Sequence, residues 1–451
     1  MAVPINSSAT ATAPPSSLLR VLQDSTGSTG LVAPQFIICA LLLTTIIFLF
    51  PAGSLFRRAL YPVQLGLIAC AFVAPLPPGA PQADLYSAGL LIAGWAARIM
   101  DRVYMVRDPE RSLLRHGVDD GPHGPETYGP LRKLNWAFEM ITSQRGVGWS
   151  WQVGALPRPD YTTRWGFVAN RVFRSLCTLL IVHLVSVAAD VILTLDQSES
   201  EGTIASGLAA VLRQPLVLRA YVTVGWLMVV YGHVALPENV ISIVTVSTGV
   251  FGRWSDPKLW PPMFNSMSEA YSLRRYWGKY WHMMLRRTTD APGLFLQQEI
   301  PMLRNPKNRV ARLVRRYGLL FLSFAVSGFI HAVGSYMVTR DFPEGWSDGG
   351  AMVYFLAQPA FILVEDTLFM ALGVPDDGNP TLLRRLFGYA YVAAWWLWCF
   401  PTLKVAPLAA AHRLDGWDQD GWRASVVACK ELADAYPLNP ARALWQALGR
   451  S

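Results

Sequence analysis

GLLFLSFAVSGFIHAVGSYMVT, residues 318–339, is a run of apolar and small side chains interrupted by one ionisable group, His331. A helix rises about 1.5 Å per residue, so this run matches the roughly 30 Å of hydrocarbon in a bilayer and sets His331 near its middle. Runs of the same character predict further spans at 36–50, 60–75, 84–104, 167–193, 216–236, 351–373 and 388–408. A shorter run, 239–252, follows an interruption at Pro237, Glu238 and Asn239 and reads as a re-entrant or interfacial helix. The expected fold class is all-α: a multi-pass integral membrane protein with eight or nine transmembrane helices around a buried reaction chamber.

Composition points the same way. With 52% hydrophobic and 16% charged residues in a chain of 451, more apolar surface is present than a soluble core would bury. Cys39, Cys70, Cys177, Cys399 and Cys429 are scattered without a CxxC pair and read as packing residues, so no metal site or disulfide framework is expected. The first apolar run starts too late, and without the basic flank, for a cleaved signal peptide, so it reads as a retained span. Residues 1–33, rich in Ser, Thr, Ala and Pro, read as a disordered tail and 34–104 as peripheral transmembrane helices. A cytosolic loop at 105–166, a core at 167–408 and a C-terminal tail at 409–451 complete the division.

Charge is concentrated rather than spread. The net charge is +8, yet residues 253–316 alone hold 13 Lys and Arg against 4 Asp and Glu. The positive-inside rule places this segment in the cytosol and the acidic stretch 341–350, with Asp341, Glu344 and Asp348, on the other side of the helix that carries His331.

Within the basic segment, helical spacing would put Arg275, Lys279, His282 and Arg286 on one stripe and Leu273, Trp277, Trp281 and Leu285 on another. Such a stripe suits the phosphates of coenzyme A. It equally suits an interfacial helix whose tryptophans and cations anchor to anionic lipid. The helical neighbours of His331 are Ser327, Gly328, Gly334 and Ser335, all small, which either opens a chamber for substrate or allows a helix to pack closely. Glu365 and Asp366 lie in the next span, where they either orient the His331 ring or pair with an arginine.

Trp260-Pro-Pro-Met-Phe264, Glu269-Ala-Tyr-Ser-Leu273 and Tyr276-Trp-Gly-Lys-Tyr-Trp-His282 together resemble the signature of the plant and fungal wax-synthase-type membrane O-acyltransferases, and Ser327-Gly-Phe-Ile-His331 matches that family's membrane histidine. Arg145-Gly-Val-Gly-Trp149 and the stretch from Gln358-Pro359 to Glu365-Asp366 resemble fungal members in particular. The resemblance is strong over 253–340 and weaker over about 130–408. It implies that His331 takes the proton of an acceptor hydroxyl as that oxygen attacks an acyl-coenzyme A thioester. It also implies that His282, where many relatives carry Asn, holds the acyl carbonyl or the coenzyme. Trp277, Arg275, Lys279, Trp281 and Arg286 would bind acyl-coenzyme A. The expected partners are the lipid bilayer, an acyl-coenzyme A cosubstrate and a lipophilic alcohol, with no permanently bound cofactor and no nucleic acid. Fungal relatives of this compact type often acetylate terpenoid or mixed polyketide-terpenoid hydroxyls, which favours acetyl-coenzyme A. Plant relatives load long chains onto fatty alcohols, so a wax ester synthase is the alternative. The endoplasmic reticulum is the expected membrane.

Three rival readings are weaker. A transporter using His331 and Glu365 as a proton relay should show internal repeats, and the halves show no convincing self-similarity. His116-Gly-Val-Asp-Asp120-Gly121 fits the HxxxDG pattern of soluble coenzyme A acyltransferases, but that pattern works inside a soluble two-lobed fold. A nucleic-acid role is disfavoured because the basic cluster is embedded among spans and tryptophans.

Overall fold

The computed structural model describes residues 31–76, 79–116, 124–157, 161, 163–196, 210–212, 214–373, 380–413, 426–427, 429–430 and 433–434. Residues 1–30 of the first tail, and most of the second, lie outside the described residues.

The elements that matter for function are α1 (Ala33–Ile47), α2 (Leu55–Val73), α3 (Gln82–Ile99), α4 (Pro130–Thr142), α5 (Arg164–Asp196), α6 (Pro215–Thr248), α7 (Arg286–Glu299), α8 (Arg309–Thr339), α9 (Ala351–Ala371), α10 (Leu382–Phe400) and α11 (Ala406–His412). A π-helical turn, Pro401–Val405, joins α10 to α11. Among the described residues there is no strand, and Arg115 to Trp149 is an isolated antiparallel bridge. Helix starts follow local chemistry. Ser54, Asn308 and Thr381 accept from the backbone N–H three residues on, and proline occupies the first turn of α1, α4 and α6.

Six helical stretches among the described residues are long and apolar enough to cross a membrane: α2, α5, α6, α8, α9 and the continuous α10–α11. Length and apolarity alone do not reach the eight or nine expected spans, because α1 has 15 residues and α3 carries Asp84 and Arg98. On α5 the side chains of Phe173, Leu176, Leu180, Leu184, Val187 and Val191 are exposed, a continuous greasy face of the kind that meets lipid.

Two expectations change. The run 239–252 is not a separate re-entrant element: α6 is one helix of 34 residues that passes through Pro237. The polar triplet is buried against other segments instead of breaking the helix, as the site below explains. Nor is every helix before residue 105 peripheral. α3 lies flat against α8, so close that a Cβ on Gly89 would come within 2.6 Å of the Val333 carbonyl oxygen and one on Gly334 within 2.9 Å of the Tyr86 ring. Only glycine on both sides permits that approach.

Candidate active site

α3, α6, α7, α8, α9, the α10–α11 unit and the segment 277–286 enclose a cavity of about 880 Å³, a volume that suits a small-molecule site. Tyr86, Leu90, Gly94 and Arg98, recurring every fourth residue, make α3 one wall. Among the lining residues, the side chains of Arg286 and Arg316 are 42% and 50% exposed.

His331 projects from α8 into this space, with the Phe355 ring centred 4.3 Å from its own. Its Nδ1 lies 2.8 Å from the backbone oxygen of Ser327, one turn back. A carbonyl oxygen only accepts, so Nδ1 carries the proton and Nε2 keeps a lone pair. The helix itself therefore sets the tautomer that a general base needs. His331 lies within electrostatic reach of both His282 and Lys404.

His282 reaches the cavity by a different route from the one its spacing predicts. Leu273–Arg275 form a single helical turn, Tyr276–Tyr280 widen into a π-helical turn, and Trp281 is extended with ψ of 150°. The expected basic stripe is thus broken. Trp277, Trp281, His282 and Arg286 line the cavity, as does Arg274, which the spacing did not single out. Arg275 and Lys279 instead pair with Glu269 and are not part of the lining. The break follows from what holds the segment. Glu365 accepts from the backbone N–H of Leu273 at 2.9 Å and of Arg274 at 3.0 Å, capping the turn. Asp366 binds the Arg274 guanidinium, Arg316 at 3.0 Å and the Tyr317 hydroxyl at 2.7 Å. Gln358 Oε1 accepts from the indoles of Trp277 at 3.2 Å and Trp395 at 3.1 Å.

The two carboxylates therefore seat the aromatic segment and do not flank His331. Phe355, the α9 residue that touches His331, is ten positions before Glu365, which puts that carboxylate about 15 Å further along the helix axis. Of the small residues around His331, Ser327 lines the cavity. Gly328 receives Met352 and Phe355 of α9, Gly334 receives Tyr86 of α3, and Ser335 is buried with its hydroxyl 2.9 Å from His412 Nε2. Those three serve close packing.

A second set of tethers fixes the Trp260-Pro-Pro loop. Arg145 donates to the carbonyls of Pro261 and Pro262, both at 2.7 Å, and pairs with Glu238 at 2.7 Å. Arg171 donates to the Trp260 carbonyl and, at 2.6 Å, to Asn239 Oδ1. The polar residues that seemed to interrupt α6 are thus the anchor of the signature loop. These contacts also join the part of the loop around Arg145 to the Trp260-Pro-Pro stretch at the start of the basic segment.

The His282 ring sits 5.4 Å from Trp281 and 5.7 Å from Phe264, centre to centre, and its Nδ1 has no hydrogen-bond partner among the described residues. Burial, reinforced by the nearby Arg145 guanidinium, pushes its pKa from 6.5 down to about 4. As pH falls from about 6.5 to 4, the unfolded chain takes up a proton here that the folded chain refuses, so this position makes the fold less stable by up to about 1.4 kcal/mol per unit. Thermal midpoints of detergent-purified protein between pH 7.5 and 4.5 should accordingly fall more steeply for wild type than for His282→Asn. Parallel profiles would show that the ring is not held neutral.

Tyr86, Arg98, His233, Lys404 and His412, which no sequence motif singles out, also line the cavity. Arg98, His233 and Lys404 stand inside runs read as spans, so the rule that drew attention to His331, an ionisable group at bilayer depth, would have found them too. His116 lies in the loop, where its N–H donates to the Gly148 carbonyl at 2.9 Å, and it is not among the cavity residues. Asp119, Asp120 and Gly121 of that pattern lie outside the described residues.

A histidine with a ring nitrogen left unprotonated, in a cavity among apolar helices that also holds arginines, is compatible with the chemistry of a membrane O-acyltransferase. Residues 260–357 match the Membrane bound O-acyl transferase family. An O-mevalon transferase of Penicillium terrestre is 34% identical over 400 residues, covering 88% of this chain and 90% of that protein. Another from Aspergillus niger is 35% identical over 428 residues, covering 93% and 94%. An acetyltransferase of Arthrobotrys oligospora is 26% identical over 415 residues, covering 88% and 85%. The chain belongs to this family of membrane acyltransferases. No solved structure matches it.

Proposed function

We propose that the chain moves a short acyl group from coenzyme A to a hydroxyl of a lipophilic specialised metabolite, with a terpenoid or meroterpenoid as the expected acceptor class. The observation that carries this reading is the Ser327 carbonyl on His331 Nδ1, which leaves Nε2 as a base inside the cavity. Nε2 takes the acceptor's hydroxyl proton while its oxygen bonds to the thioester carbon. The carbon–sulfur bond then breaks, and the imidazolium returns the proton to the departing coenzyme A thiolate. His282, uncharged, faces the same space and positions the donor. Arg286, Arg316 and Arg274, which line the cavity, are the cations placed to meet the coenzyme's phosphates, and Trp277 and Trp281 flank its arm. Arg275 and Lys279 act at a distance, through Glu269.

Acetyl is the donor that the relatives named acetyltransferases favour. The relatives named O-mevalon transferases favour a mevalon group as the second reading. If α1 and α3 also cross, the spans number eight, and the basic segment and the loop 105–166 share the cytosolic side of the endoplasmic reticulum. The test is to incubate membranes carrying the protein with labelled acetyl- or palmitoyl-coenzyme A and a panel of hydrophobic alcohols. Ester labelled from the short donor is expected. Palmitoyl transfer alone would establish a wax ester synthase, and no ester from any donor would remove the reading.

A further inference from the structure

Buried cations in this protein are mostly paired. Arg145 and Arg171 share Glu238, Arg57 binds Glu110, and Arg102 binds Asp101. Lys404 is different. It is 5% exposed, lines the cavity, and has no carboxylate within ion-pair distance among the described residues. Its Nζ donates to the Tyr86 hydroxyl at 3.2 Å. Asp348 lies within electrostatic reach, but both of its oxygens are engaged by backbone N–H groups, Gly350 at 3.0 Å and Met352 at 3.1 Å. A cation enclosed at this depth without an anion is unfavourable, and such positions mark ligand sites.

Its backbone setting supports the same conclusion. Lys404 belongs to the π-helical turn Pro401–Val405, a local widening that recurs at functional sites and here brings the side chain to the cavity wall. The position is close to the reaction centre. The Tyr86 ring packs on Gly334, three residues from His331 and so about 4.5 Å along α8. Arg98, by contrast, stands twelve residues from Tyr86 on α3, about 18 Å away, close to Asp101, which pairs with Arg287 at the start of α7; Arg286 beside it, and Arg316 further back along α8 from His331, are exposed. The donor's polar carrier belongs at that end. What extends past His331 toward Lys404 is the tail of the acyl group.

We propose that Lys404, together with Tyr86, receives a carboxylate at the far end of the acyl group, so that the preferred donor is the coenzyme A monothioester of a short dicarboxylic acid. Tyr86 accepts from Lys404 and keeps its own proton, and the ammonium has further protons to give, so donors converge on the two oxygens of one carboxylate. The short step from His331 to Tyr86 limits the chain to a few carbons. The inference rests on the acyl-transfer reading above for the identity of the donor.

The test compares glutaryl-coenzyme A with valeryl-coenzyme A, donors of equal chain length that differ in the terminal carboxylate, on full-length protein in detergent. Both acyl transfer in competition and thermal stabilisation without acceptor are read. Wild type should prefer the glutaryl donor at least about tenfold, equivalent to about 1.4 kcal/mol. Lys404→Met should bring the ratio to about one, Lys404→Arg should keep a preference, and Tyr86→Phe should reduce it. Equal handling of the donors by wild type, or an unchanged ratio in Lys404→Met, would overturn the proposal. If Lys404→Met does not purify as a monodisperse species, Tyr86→Phe decides alone, and an unchanged ratio in it overturns the proposal. A Lys404-dependent preference for a lipophilic hydroxy acid over its methyl ester, without a donor preference, assigns the carboxylate to the acceptor and overturns it as well. Valeryl or acetyl transfer with no glutaryl preference sinks this inference alone, whereas no transfer from any donor sinks the function proposed above.

Discussion

His331→Ala is expected to lower ester formation by roughly 10²–10⁴ while the protein still assembles, because a general base contributes about that much. The ring is held by a bond from its own helix, Nδ1 to the Ser327 carbonyl, and its other face meets the cavity and the Phe355 ring. Removing it takes away the proton acceptor but no cross-helix hydrogen bond, so the thermal midpoint should move little. His331→Gln offers an amide in place of a base and should be equally inactive. His116→Ala, in the loop, should turn over like wild type. Near-normal initial rates for purified His331→Ala would end the assignment of the base.

Glu238→Ala should have the largest effect on stability, a loss of roughly 3–5 kcal/mol, because it strands two buried guanidinium groups at once. Arg145 and Arg171 both turn to this carboxylate, and both also hold the carbonyls of Trp260, Pro261 and Pro262. That loop leads to Phe264, whose ring packs on His282, so the damage should extend to the cavity. A lower thermal midpoint, reduced monodisperse yield and a raised KM for the donor are the expected readings. Glu238→Gln, which keeps a hydrogen-bond acceptor but not the charge, should fall between. A variant with an unchanged midpoint would mean that the carboxylate does not anchor the loop.

How much of this was legible in the chain differs by element. The apolar runs gave the helices at α2, α5, α8, α9 and α10, because a segment in lipid must satisfy its backbone internally whatever its neighbours are. Periodicity failed at two places, and for one reason. At Pro237-Glu238-Asn239 a polar interruption looked like a helix end, yet Arg145 and Arg171, distant in sequence, compensate the charge and the helix continues. At 273–286 a clean helical spacing was not followed, because Glu365, Asp366 and Gln358 fix a single turn and a widened one in its place.

The chain alone determined that this is a helical membrane protein with a histidine at bilayer depth and a basic, tryptophan-rich segment beside it. Hydrophobicity, helical rise and local charge are properties of contiguous residues and can be read without partners. Only the tertiary structure decided that Arg275 and Lys279 leave the cavity, that Glu365 caps a turn away from His331, and that Lys404 meets Tyr86 across more than 300 residues. Those outcomes depend on which distant groups reach an ion pair or a hydrogen bond first, and that competition is settled by packing rather than by spacing along the chain.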